Sequence, residues 1–269
     1  MNKIRALFLG AHPDDCEVGG GGLAIKLARA GHTVKFCSLT DGRSGAYRDW
    51  GDRMKKLRWE DMRKVAAFIG CEVEMLDNPD GSLQPTLETR EELIRVIRRF
   101  KPDLLFTHRS CDYHPDHHYT NVLTIDAIFM LKVPAVCPDC APMRTMPAIL
   151  YYQDSFTKPY PLDPAFVIDI SDIWGDKFKA LLMHEDQFLD WLPWVDADIE
   201  KPQKLSREEL TDIARKMMEP RNLESAVKYR TMLIEEYGTG RNISHAEAYE
   251  LAEHGAPLIP EIKSLLLSL

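Results

Sequence analysis

Two short runs gather most of the imidazoles and carboxylates of this chain that could act together: Ala11-His12-Pro13-Asp14-Asp15-Cys16-Glu17 and Asp112-Tyr113-His114-Pro115-Asp116-His117-His118. His12 and Asp15 are three positions apart, so a tight turn or a first helical turn aims both at one ion, while Asp14 points elsewhere nearby. A neutral imidazole with a carboxylate suits Zn2+. The second run offers a third ligand from among His114, His117 and His118, and spacing does not choose between them. Three protein ligands with one position left open to water distinguish a catalytic zinc site from a closed structural one. Either run alone reads equally well as loop decoration. Two runs at strand ends make coincidence a poor account.

The elements that must position these runs alternate. Apolar, β-rich segments at 4–9, 33–39, 72–76 and 103–107 are separated by helical periodicity at 20–30, 53–69 and 90–100. This alternation predicts an α/β fold: a mostly parallel, Rossmann-like sheet with helices on both faces and its functional groups at the carboxyl ends of the strands. Segments 148–153 and 165–170 are expected as later strands. Everything from Asp172 onward is expected to form extra, charged amphipathic helices. With 269 residues, 45% of them apolar, one domain over 1–269 is expected.

Composition narrows the chemistry. A formal net charge of -8 argues against nucleic acid, whose phosphates call for a basic surface. No apolar run reaches the ~18 residues of a membrane span, and the run at 6–9 is too short for an export signal, so a soluble, cytoplasmic protein is expected. The six cysteines are then expected to be reduced. Cys137 and Cys140 form a lone CxxC in a proline-rich loop, without the second pair that a four-thiolate zinc site needs, and read as plain loop thiols. Gly19, Gly21 and Ala24, with Asp41 further on, match a dinucleotide fingerprint. Their placement speaks against it, because Asp14, Asp15 and Glu17 stand between the strand and the glycines and would repel a pyrophosphate.

On the A-H-P-D-D at 11–15 and the H-P-D-H at 114–117, the sequence resembles the LmbE-like or PIG-L family of zinc-dependent N-acetylglucosaminyl deacetylases. The resemblance implies that His12, Asp15 and His117 hold the zinc, that Asp14 is the general base, and that His114 stabilises or protonates the reacting group. His118 receives no role. Arg58, twelve residues before Gly70, stands where the family has a substrate-contacting arginine, and Asp80-Gly81 resembles its substrate loop. Residues 179–187 resemble a late A-x-x-x-H segment, and Tyr237-Gly238 and Ala246-Glu247-Ala248-Tyr249 resemble its closing segments. The loop at 40–50, with Arg43, Arg48 and Trp50, departs from the family pattern.

Asp112 and Asp116 are expected to orient His114 or His117 from behind. His184, alone among Leu181, Leu182 and Met183, reads as a packing residue. The implied reaction is removal of an acetyl group from the amide nitrogen of a small N-acetyl sugar or sugar conjugate by a homo-oligomeric enzyme. The alternatives are an amidase acting on a larger sugar-thiol conjugate, and a non-catalytic nucleotide- or metal-binding module on the same sheet.

Overall fold

The computed structural model describes residues 3–269. Seven strands, β1 (Arg5–Gly10), β2 (Thr33–Thr40), β3 (Glu72–Asn78), β4 (Leu104–Thr107), β5 (Ala148–Tyr152), β6 (Phe166–Asp169) and β7 (Ala246–Gly255), form one sheet in the order β3-β2-β1-β4-β5-β7-β6. The first five pair in parallel, and β7 runs antiparallel between β5 and β6. β1 is a near-continuous apolar run because both its faces are covered. Ala6 and Phe8 face one core layer, with the rings of Phe8 and Phe106 stacked 4.3 Å apart, and Leu7 and Leu9 face the other.

Helices α1 (Asp15–Arg29), α2 (Asp52–Ile69), α3 (Leu87–Phe100) and α4 (Pro115–Met130) make the crossovers of the parallel half. The remainder comprises α5 (Trp174–Leu181), a π-helical turn at Gln187–Trp191, α6 (Leu192–Val195), α7 (Arg207–Lys228), α8 (Arg230–Tyr237) and α9 (Pro260–Ser268). No helix among the described residues is long and apolar enough to cross a membrane.

Three local outcomes differ from the sequence expectation. First, α1 begins at Asp15 rather than at 20, with Asp15 and Glu17 in the first turn, where carboxylates favour a helix start. Gly20 (φ -146°, ψ 15°) then kinks the helix. The amides of Gly22 and Leu23 donate instead to the buried Glu247 carboxylate, at 2.8 and 2.9 Å. A Cβ at Gly19 would lie 2.7 Å from the Tyr152 ring and one at Gly20 2.6 Å from the Phe8 ring. These glycines therefore let a helix touch the sheet; the amides a pyrophosphate would need are already taken.

Second, α4 is an unpredicted helix. His114 caps it, its Nδ1 accepting from the Asp116 amide at 3.2 Å, and Pro115 opens it, where a missing N–H costs nothing. Third, β7 is a strand in a region expected to be helical. Its Ala, Glu and Leu residues favour helix locally, and pairing on both sides overrides that preference. The Cys137/Cys140 loop is a plain loop with free thiols, held by the buried Arg98 guanidinium, which donates to the carbonyls of Met130, Leu131, Val133, Val136, Cys137 and Cys140.

Candidate metal centre

Strand order reverses between β1 and β4, and in open α/β sheets the crevice at such a point is where ligands bind. The first run leaves β1 and the second follows β4, so residues about a hundred positions apart meet there. The Ala11 carbonyl, just ahead of His12, is fixed by the Thr40 amide at 2.9 Å and the Thr40 hydroxyl at 2.7 Å.

His12 Nδ1 lies 3.4 Å from Asp15 Oδ2 and 3.2 Å from His117 Nε2, and His117 Nε2 lies 3.4 Å from Asp15 Oδ1. Ligands bound at about 2.0–2.1 Å in a tetrahedral zinc site stand about 3.3–3.4 Å from one another. The donors have the chemistry that zinc takes, with Asp15 facing the two rings through different oxygens. The far side of each ring is backed by carboxylate: His12 Nε2 lies 3.2 Å from Asp80 Oδ1 and 3.3 Å from Asp116 Oδ2, and His117 Nδ1 lies 3.1 Å from Asp112 Oδ1. Such backing fixes which ring nitrogen is free to ligate.

This corrects one expectation. Asp112 does orient His117, but Asp116 serves His12, and it also accepts from the amides of Gly81 at 2.7 Å and Leu83 at 3.2 Å, pinning the Asp80 loop to the centre. Burial opposes protonation of both rings, yet the surrounding carboxylates outweigh it, lifting His12 well above its ordinary value and His117 to about 9. The same field favours a bound dication.

Among the other histidines, His114 sits close enough to His12 and His117 for an alternative donor set. Its Nδ1 is engaged as the cap of α4, which leaves Nε2 to carry the proton of the neutral ring. Burial and the neighbouring His12 and His117 lower its pKa. His118 faces away, with Nδ1 2.5 Å from the Ser110 carbonyl. The sequence reading overlooked His108. It is buried, stacked on His117 at 4.1 Å, 3.2 Å from Asp15, and pushed down to about 4 by burial. Its Nε2 accepts from the Ala11 amide at 3.2 Å, which makes it a wall of the centre rather than a free ligand. Its only signal was its place directly after β4.

Asp14 is nearly buried, lines the cleft, and has no hydrogen-bond partner for its carboxylate among the described residues. Burial first, and Asp15 second, raise its pKa. Arg58, projecting from α2 and 2% exposed, donates through Nη2 to the Gly45 carbonyl at 2.8 Å and to Gln187 at 2.5 Å, while its buried Nη1 has no partner. Asp80 lines the same cleft, partly committed to His12 and to the Ser44 amide at 3.0 Å. His184 is fully buried, as a packing residue would be, but its Nε2 lies 3.0 Å from Glu17 Oε1, one layer behind the cleft. The cleft encloses about 680 Å³, the size of a small-molecule site.

Comparison with known proteins fits this geometry. The sequence profile of PIG-L, described as GlcNAc-PI de-N-acetylase, matches residues 7–128, which contain both runs. A diacetylchitobiose deacetylase of Thermococcus kodakarensis is 30% identical over 203 residues, covering 71% of this chain and 73% of that protein. The chain belongs to the PIG-L (LmbE-like) family. A further relative, a 4-oxalmesaconate hydratase of Pseudomonas putida, is 24% identical over 184 residues, covering 65% of this chain and 71% of its own. Among solved structures, the N,N'-diacetylchitobiose deacetylase of Pyrococcus horikoshii shares the PIG-L fold with a TM-score of 0.68 at 24% identity, over 93% of this chain and 84% of that one.

Proposed function

We propose that this chain is a zinc-dependent N-deacetylase that hydrolyses the acetamide of a small N-acetylated sugar to acetate and the free amine. The observation that carries the reading is the pairing of His12, Asp15 and His117, at mutual distances of 3.2–3.4 Å, with the unpartnered Asp14 carboxylate beside them. The names of relatives, which include a diacetylchitobiose deacetylase and a 1D-myo-inositol 2-acetamido-2-deoxy-alpha-D-glucopyranoside deacetylase of Corynebacterium diphtheriae, support it.

Zinc bound by these three residues would supply an acidified water and a polarised amide carbonyl. Asp14, with its raised pKa and no competing partner, takes the proton of the attacking water as the oxygen–carbon bond forms. His114 keeps Nε2–H available as a donor to the carbonyl oxygen as negative charge gathers there. As the carbon–nitrogen bond breaks, Asp14 returns its proton to the departing amine. Arg58 and Asp80, both on the cleft wall, would hold sugar hydroxyls. An amidase acting on a larger sugar-thiol conjugate would use the same centre.

The test pairs metal content with acetate release on a panel of N-acetyl sugars. We expect about one zinc per chain and release of acetate. His12→Ala, Asp15→Ala and His117→Ala should each lose both. Full metal occupancy in all three variants would remove the ligand assignment, and absence of acetate from every sugar would remove the reaction.

A further inference from the structure

In the π-helical turn at Gln187–Trp191 the Leu192 amide reaches back five positions to the Gln187 carbonyl. Such an inserted residue is frequent at functional sites. The start of the turn is anchored, because the carbonyl of the fully buried His184 accepts from the amides of Gln187 and Phe188, at 3.1 and 3.0 Å. Phe188 and Leu189 pack into the core, while Gln187 is half-buried and lines the cleft. Its Oε1 lies 2.5 Å from Arg58 Nη2. A guanidinium only donates hydrogen bonds, so the oxygen of the Gln187 amide must face Arg58 and the nitrogen must turn away. Nε2 has no hydrogen-bond partner among the described residues, and it is not one of the buried orphans. Its N–H groups are thus left open to the cleft.

At Gly45 these donors meet an acceptor. A Cβ placed on Gly45, itself a cleft residue, would lie 3.3 Å from Arg58 Nη2, 3.4 Å from Gln187 Oε1 and 3.9 Å from Asp80 Oδ2. Polar side chains from α2, the π-helical turn and the loop after β3 therefore converge on one point of the 40–50 loop. We propose, resting on the deacetylase reading above, that Gln187 is a substrate-binding residue, donating Nε2–H to a sugar hydroxyl whose own proton goes to Asp80. A hydroxyl has one proton and two lone pairs, and an ionised carboxylate only accepts, so Asp80 takes the proton and Gln187 fills a lone pair. Arg58 in addition fixes which end of the Gln187 amide the substrate meets. An anionic group at this position, with no proton to give, is turned away by Asp80.

The zinc-loaded full chain is assayed on N-acetylglucosamine and on its 3-, 4- and 6-deoxy analogues, with Gln187→Met and Gln187→Glu beside the wild type. Gln187→Met keeps the length of the side chain without its donor. Gln187→Glu keeps the acceptor toward Arg58 but brings a second acceptor to the shared hydroxyl. Both should raise KM for N-acetylglucosamine about three- to tenfold, the scale of one hydrogen bond, with kcat within about twofold and zinc content unchanged. Wild-type kinetics in Gln187→Glu would reduce Gln187 to a support for Arg58 and overturn the proposal. One deoxy analogue should be a poor substrate for the wild type, and on that analogue Gln187→Met should cost nothing further. An equal loss in Gln187→Met on all four sugars overturns the contact. If the wild type releases acetate from none of them, the deacetylase reading fails and Gln187 is judged by calorimetry with glucosamine. Weaker binding in Gln187→Met then supports the contact; equal binding overturns it.

Discussion

Asp15, half-buried, and Glu247, fully buried, are two carboxylates on either side of the Gly20 kink, and they are treated oppositely. Glu247 has a donor for each acceptor position: the amides of Gly22 and Leu23, Lys177 Nζ at 2.8 Å and the Tyr249 hydroxyl at 2.6 Å. Asp15 accepts one main-chain bond, from His12 at 2.7 Å, and otherwise faces the ring nitrogens of His12, His108 and His117. A saturated cluster has nothing left to offer a ligand. The donors around Asp15 converge on one another, which is stable only when a proton or a cation shares them. Closure marks the structural cluster and convergence marks the functional one.

The largest way to break this contrast is on the saturated side. Lys177 is 1% exposed, and burial lowers its pKa against the pull of Glu247, so removing it strands a charge in the core. Lys177→Met should cost about 3–5 kcal/mol of stability, and adding Glu247→Gln should recover part of that loss, although the amides of Gly22 and Leu23 then keep a weaker acceptor. Denaturant titrations of the single and double variants measure both values. A loss below about 1 kcal/mol would mean that the cluster is not a clamp.

On the convergent side, the sharpest single change is Asp14→Asn, which keeps the shape and removes the basicity. The folded variant should retain its zinc and lose about 10²-fold or more in kcat. Loss of zinc would make Asp14 a ligand, and near-normal turnover would make it a bystander. Metal content and rate must be read on the same sample, because only an inactive, zinc-loaded protein supports the role proposed.

The two clusters also differ in how they are written in the chain. His12, Asp14 and Asp15 are adjacent, and the turn after β1 keeps adjacent residues together, so that half of the centre was legible from spacing. The parallel half of the sheet was legible too, because buried strands and amphipathic helices alternate with different periods. Choosing His117 over His118 depends on where α4 begins, which is set by His114 and Pro115 acting as cap and first residue. The Asp116 to His12 contact spans 104 positions and depends on strand order, which no local pattern encodes. Glu247 lies on a strand whose residues favour helix, so neither its burial nor its partners could be read ahead of the fold.

The smallest effect we predict tests the support behind the convergent cluster. Asp112 accepts from the His114 amide at 3.0 Å and faces His117 Nδ1 at 3.1 Å, so one carboxylate shapes the turn into α4 and selects the tautomer that frees Nε2. Burial raises its pKa, but the hydrogen bond and charge of His117, the His114 amide and the charge of His108 together outweigh that, and the net shift is downward. Asp112→Asn can keep the amide contact through its side-chain oxygen while removing the charge, and the ring then loses basicity without losing its place. Zinc affinity should fall about 10- to 100-fold, the usual scale for such a partner, with stability nearly unchanged. Competition against a chelator of known affinity measures the first and thermal unfolding of the metal-free protein the second. An unaltered affinity would show that the Asp112 charge does nothing for His117, and a large loss of stability would place the residue with Glu247 among the clamps.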